Sequence, residues 1–209
     1  MIRVLIADDH PIVREGVKNI LNAAPDIRVV GEADDGHAVL EALRHTEADL
    51  VLLDISMPGL PGLDALKRIK EMRPSLPVLM LSVHPEELYA VRSLKAGASG
   101  YLTKSSVPEE LLDAVREAHR GGKYITKSLA SLLAETLADG SGRPPHETLS
   151  DREYQVLRLI ATGHTVSAIA DQLALSVKTV STYRARILAK MKMRTNAELT
   201  YYAVENGLV

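Results

Sequence analysis

Twice within its first 54 residues this chain runs four apolar residues straight into acid: Val4-Leu5-Ile6-Ala7 meets Asp8-Asp9, and Leu50-Val51-Leu52-Leu53 meets Asp54. Short apolar runs closed by polar residues read as strands of a parallel sheet buried on both faces. In an open α/β sheet the carboxyl ends of neighbouring strands face the crevice where ligands bind. If these two strands are neighbours, their acids share one pocket, and they repel each other unless a cation lies among them. An all-oxygen donor set suits a hard ion, and Mg²⁺, which takes few carboxylates and keeps its waters, is the expected one.

Residues 1–122 alternate strand and helix patterns. Strands are expected at Ile2–Ala7, Arg28–Ala33, Leu50–Leu53, Val78–Leu81 and Gly100–Leu102. Amphipathic stretches separate them at Pro11–Ala23, His37–His45, Leu63–Met72, Pro85–Ala96 and Pro108–Arg120. Five such units joined by short connections imply a parallel sheet covered on both sides. Pro85 suits a first helical turn, and residues 106–109 read as a capping box. His10, just after the acids, is expected to cap the loop into the first helix. No histidine pair has metal spacing on a common helix face, so zinc is not expected.

Gly121-Gly122 closes this region, and residues 123–147 read as a linker containing a helix at Thr126–Ala138. Residues 148–209 are all helix. Ser150 to Glu153 forms a capping box stapled by Leu149 and Tyr154, and a helix then runs to about Ala161. A short helix covers Val166–Leu173, a longer one capped by Ser176 reaches Met193, and Thr195 to Glu198 opens the last. A brief helix, a tight turn and a longer helix make a helix-turn-helix.

Charge divides along the same boundary. Residues 1–122 hold 14 Lys/Arg against 19 Asp/Glu, whereas residues 148–209 hold 8 against 5. A basic end suggests a polyanionic partner. The absence of cysteine rules out a disulfide scaffold and thiolate metal sites. No stretch reaches the roughly 18 apolar residues of a membrane span, and the first strand begins where a signal peptide would, so a cytoplasmic protein is expected.

The acidic pair in IADDH, Asp54 in VLLDISMPG, Ser82 closing VLMLS and Lys104 closing SGYLTK occur in an order that resembles the receiver domains of two-component response regulators. The resemblance implies a flavodoxin-like sheet of order 2-1-3-4-5, the order given for this class of fold rather than one read from spacing. It implies Asp54 as phosphoacceptor. Mg²⁺ would be held by Asp9, Asp54 and the backbone carbonyl of Ser56, with Asp8 direct or through water. Lys104 would pair with the phosphoryl oxygens and Ser82 would donate to them. Ser82 and Tyr101 would form the switch, the ring rotating into space that the hydroxyl vacates.

In the third tail helix Lys178, Ser181, Thr182 and Ala185 share one face, small and polar, flanked by Arg184, Arg186 and Lys190. Val177, Val180, Ile187, Leu188 and Met191 are expected to face the core. Such a face suits a major groove. Residues 149–191 are similar to the LuxR-type helix-turn-helix, so the whole chain resembles NarL/FixJ-type response regulators. On that resemblance Ser181, Thr182 and Ala185 would face bases, while Lys178, Thr179, Arg184 and Arg186 would contact mainly phosphate. Ala185 stands where a basic residue is common. Leu199, Tyr202 and Ala203 on the last helix would form the dimerisation surface. The implied partners are a sensor histidine kinase and double-stranded DNA, an inverted repeat matching a homodimer formed on phosphorylation.

Two other readings compete. A haloacid-dehalogenase-type phosphohydrolase also uses a strand-end Asp with Mg²⁺, but needs a second carboxylate two residues on, where this chain has Ser56, and a cap insertion it lacks. A protein-binding adaptor would have no use for the basic helix. Neither fits as well as a regulator that is not a dedicated enzyme.

Overall fold

The computed structural model describes residues 1–106, 108–138 and 144–209. The chain forms two compact units, residues 1–139 and 140–209. Residue 107 of the expected capping box and residues 139–143 of the expected linker lie outside the described residues.

The first unit holds strands β1 (Ile2–Ala7), β2 (Ile27–Ala33), β3 (Leu50–Asp54), β4 (Val78–Ser82) and β5 (Gly100–Thr103). Between and after them come helices α1 (Pro11–Ala23), α2 (Gly36–His45), α3 (Gly62–Met72), α4 (Glu86–Lys95), α5 (Pro108–His119) and α6 (Lys127–Ala138). All strand pairs are parallel, in the order β2-β1-β3-β4-β5, which is the doubly wound arrangement expected. β3 and β4 are buried at every position, as central strands covered on both faces must be. The helices bury one stripe each; α5 does so through Leu111, Ala114, Val115 and Ala118, spaced at one helical face. Pro85 stands just before α4 in extended conformation rather than inside its first turn.

Register places the site. Ala7 pairs with Leu53, and Asp54 pairs with Leu81, so strands β1 and β3 end side by side at the point where the winding reverses. Arg3 adds a forked contact from β1 to Asp49 at the start of β3, at 2.9 and 3.1 Å. The loop after β3 folds back so closely that a Cβ on Gly62 would lie 1.9 Å from the carbonyl oxygen of Asp54. The Gly62 N–H donates to the carbonyl of Ile55 at 3.0 Å, which closes this turn beneath the acid.

The region read as a linker is partly part of the first unit. Tyr124 N–H donates to Ser99 O at 2.8 Å, and Tyr124 bridges Gly100 in parallel, extending the β5 edge. Helix α6 then packs on α4: Leu129 is fully buried, and Thr126 Oγ1 donates to Glu86 at 2.7 Å while accepting from Leu129 N–H.

The second unit has a 3₁₀ turn (Pro145–Thr148) and helices α7 (Asp151–Ala161), α8 (Val166–Gln172), α9 (Val177–Met191) and α10 (Asn196–Glu205). The Ser150/Glu153 capping box is formed in both directions. At α10 only half of the expected box forms: Thr195 accepts from Glu198 N–H, but the Glu198 carboxylate accepts from Arg194 N–H. Helix α9 stops two residues short of Met193, because Lys192 takes the left-handed conformation at φ 55°. Helices α7, α9 and α10 pack together around Tyr154, Leu157, Val180, Ile187, Leu199 and Ala203.

Gly62→Ala is expected to lower the unfolding free energy of the first unit by about 2 kcal/mol or more, since the methyl group meets backbone rather than a flexible side chain. Urea denaturation followed by circular dichroism measures it.

Candidate functional site

Four strand ends supply the charged rim of the first unit. Asp8 follows β1, Asp54 ends β3, Ser82 ends β4, and Lys104 follows β5. Lys104 is drawn in by its own backbone, whose N–H donates to Ser82 O at 2.7 Å. Its ammonium then lies 2.8 Å from Asp8 Oδ2 and 2.8 Å from Asp54 Oδ2. Both carboxylates are 1% exposed and the lysine side chain 8%, so these charges meet with little water between them. Ser56 N–H donates to the other oxygen of Asp54 at 3.2 Å.

Burial pushes the Asp54 carboxyl above its ordinary range, against the pull of the Lys104 ammonium and with the charge of Asp8 adding to the rise. Burial works to lower the Lys104 ammonium, but its hydrogen bonds to Asp54 and Asp8 outweigh that and raise it. The lysine therefore stays charged where a charge is needed.

Asp8, Asp9, His10 and Asp54 each offer a ligand atom within 4.8 Å of all the others. Asp9 Oδ1 is shielded from solvent and accepts no well-aligned hydrogen bond. Oxygen donors so close, one of them unsatisfied, suit a divalent cation, and the cluster could bind one.

The switch pair is linked through a third residue. Ser82, wholly buried, accepts from His84 N–H at 3.1 Å, and the Tyr101 hydroxyl donates to the carbonyl of the same His84 at 2.8 Å. Tyr101 is itself fully buried. The His84 carbonyl thus gives the buried phenol a partner inside. His10 departs from expectation. It occupies the N-cap of α1 but its side chain makes no capping bond, turning instead toward Asp8 and Asp9.

In the second unit α9 presents Lys178, Ser181, Thr182, Ala185 and Arg186 to solvent. Thr179 is half-buried, its hydroxyl 2.8 Å from that of the capping Ser176. Arg184 is half-buried too, its Nε donating to Asn196 Oδ1 at 2.6 Å, which leaves only its terminal nitrogens for an outside partner. Val177, expected in the core, is 51% exposed because it opens the helix, where no neighbouring turn covers it. Lys190 donates to Glu153 at 2.6 Å, tying the end of α9 to the start of α7. Burial raises the Glu153 carboxyl, but that ammonium and the bonds from Ser150 together hold it below the usual range.

The dimerisation set needs correction. Leu199 and Ala203 are fully buried within their own unit, since the face at i and i+4 of α10 is the one that packs on α7. Tyr202 is half-buried and hydrogen-bonded to His146 Nδ1 at 2.8 Å. The large apolar residues of α10 that are exposed are Tyr201 and Val204 instead. A shallow groove of about 520 Å³ opens beside them, lined by Met193, Ala197, Glu198, Tyr201, Tyr202 and Glu205.

Known proteins resemble both units. Residues 4–116 match the family described as response regulator receiver domain, and residues 147–203 match bacterial regulatory proteins of the luxR family. Response regulator GacA of Pseudomonas aeruginosa is 39% identical, covering 100% of this chain and 98% of its own. A solved structure of RcsB from Salmonella enterica serovar Typhimurium, bound to promoter rprA in the presence of the phosphomimetic BeF3-, is 32% identical with TM-score 0.65, covering 96% and 97%. A structure of two RcsB dimers bound to two parallel DNAs is 30% identical with TM-score 0.62, covering 97% and 98%.

A depressed carboxyl contributes stability above its unfolded pKa, about 4.3 for Glu, and loses it as pH falls through the lower folded value. Amide protection of α7 and α9, followed by hydrogen exchange, is therefore expected to fall on acidification below about pH 4.3. In Glu153→Gln the protection is already lower at pH 7 and changes less over that range.

Proposed function

Because the chain belongs to the NarL/FixJ-type response regulators, which join a receiver domain to a LuxR-type DNA-binding domain, we propose that phosphorylation of Asp54 by a sensor histidine kinase controls its dimerisation or DNA binding. The observation that carries this reading is the Lys104 ammonium held 2.8 Å from both Asp8 and Asp54. In the transfer an oxygen of Asp54 attacks phosphorus, the phosphorus–nitrogen bond of the donor phosphohistidine breaks, and the imidazole departs with its electron pair.

A bound Mg²⁺ would screen the negative charge that repels the nucleophile from the phosphoryl group. Asp9, Asp54 and the Ser56 carbonyl would hold it, with Asp8 direct or through water. Lys104 adds its own positive charge and, once the acyl phosphate forms, would pair with a phosphoryl oxygen. Ser82 now accepts from His84 N–H, so its own proton is available to that phosphoryl group. Drawing Ser82 toward phosphorus pulls on His84, whose carbonyl holds Tyr101. The switch is then a shift of the β4–α4 loop around an already buried ring, and α6, packed on α4, receives it.

In the second unit Ser181, Thr182 and Ala185 would face bases. Thr182 spends its proton on the Lys178 carbonyl and would meet DNA as an acceptor or through its methyl group. Lys178, Arg186, Thr179 and the free end of Arg184 would contact phosphate. The likeness to RcsB dimers on DNA supports a homodimer on DNA, whose two-fold symmetry would suit an inverted repeat, with Tyr201 and Val204 of α10 the exposed residues suited to pairing. No second carboxylate stands at Ser56, which argues against a dedicated phosphohydrolase. A cytoplasmic location agrees with a DNA target; no helix among the described residues is long and apolar enough to cross a membrane.

Asp54→Asn is expected to abolish labelling of the chain by a small phosphodonor such as acetyl phosphate. A hydroxylamine-labile phosphate surviving in that variant defeats the assignment. Lys178→Ala is expected to weaken binding to all duplexes alike and to reduce the slope of log affinity against log salt by about 1; filter binding over a salt series reads it.

A further inference from the structure

The His10 backbone is tied into the loop after β1, its N–H donating to Asp8 Oδ1 at 2.8 Å, but the helix makes no use of its side chain. The residue holds the N-cap position of α1 without a capping bond, and its ring, 58% exposed, returns to the acids instead of following the helix. Nδ1 lies 2.8 Å from Asp9 Oδ1 and 3.3 Å from Asp8 Oδ1. The closer oxygen is shielded from solvent and has no hydrogen bond of good geometry, so its contact with the ring is one of charge and proximity.

The spacing can be compared with coordination geometry. An octahedral ion with bonds of about 2.1 Å puts adjacent ligands about 3.0 Å apart and opposite ones about 4.2 Å apart. The His10 contacts at 2.8 and 3.3 Å match adjacent positions, and all four residues offer atoms within 4.8 Å. The lysine does not compete for this side. Lys104 takes Oδ2 of Asp8, while the ring of His10 faces Oδ1 of the same carboxylate.

We propose that His10 is a nitrogen donor to the cation held by Asp9 and Asp54, giving this site a preference for borderline divalent ions such as Mn²⁺, Co²⁺ and Ni²⁺ over Mg²⁺. The inference rests on the reading of this rim as a cation site. It follows from donor chemistry: carboxylates serve Mg²⁺ and Mn²⁺ well, whereas an imidazole adds most to ions further along the Irving–Williams series. Exposure of the ring leaves it free to complete the shell after an ion enters.

The test uses the full untagged chain and three probes, Mg²⁺, Mn²⁺ and Ni²⁺. Calorimetry is expected to show Ni²⁺ binding at least tenfold tighter than Mg²⁺ at a site where the two compete. His10→Ala should erase most of that preference, weakening Ni²⁺ at least tenfold and Mg²⁺ by less than about threefold. Pulsed electron paramagnetic resonance of bound Mn²⁺ should show coupling to a nitrogen nucleus, lost in His10→Gln. This readout also stands on the unaltered chain, whatever the variants do to folding. If Asp9→Ala weakens both Mg²⁺ and Ni²⁺ while His10→Ala changes neither, or if Mn²⁺ shows no nitrogen coupling, His10 is not a ligand and only this inference falls. If Asp9→Ala leaves both ions bound as before, the carboxylate site itself is misassigned and the two readings fall together.

Discussion

One ammonium group makes the acidic rim of this molecule tolerable. Asp8 and Asp54 are both almost wholly buried, and two like charges so placed are costly to bury without a counterion. Lys104, equidistant from both, compensates them, and it can do so only because the sheet brings the end of β5 level with the ends of β1 and β3. The order of strands is therefore an electrostatic requirement as much as a topological one. Were β5 elsewhere, the two acids would be buried without a counterion.

The same rim leads outward through short hydrogen bonds. His84 gives its N–H to Ser82 and its carbonyl to Tyr101, so a single residue links the buried hydroxyl to the buried phenol. Residue 101 follows Gly100, which must lack a side chain because a Cβ there would approach the Tyr124 carbonyl to 2.8 Å. Tyr124 in turn leads into α6, which rests on α4. The acidic rim and the start of the connecting segment are thus parts of one packed body, and a small displacement at the loop meets close-packed neighbours.

The helical unit is stiffened at the points that matter for presenting α9. Glu153 serves twice, completing the cap of α7 and accepting from Lys190 near the end of α9. Arg184 is anchored on Asn196 at the first turn of α10. Basic residues on a helix of this kind divide into those that hold the helix and those free to meet a polyanion. Lys190 and Arg184 do the first, wholly or in part, while Lys178 and Arg186 stand clear.

Every strand and the helix-turn-helix were legible in the amino-acid order, because apolar periodicity, caps and the acids that end strands are local signals. The acids and Lys104 were legible together only through their sequence along a recurring pattern. Other features depend on what packs from afar. Whether Leu199 and Ala203 face outward was settled by α7, since a helix with apolar residues on more than one face does not announce which one is covered. Tyr101 lies inside with a carbonyl from another loop as its partner, and His10 turns from its helix toward two carboxylates. The sequence by itself determined the elements, their order and the charge each strand end carries. The tertiary structure alone decided which of those charges meet and which faces are hidden, because such contacts join residues up to 96 positions apart and are set by the packing of the whole unit.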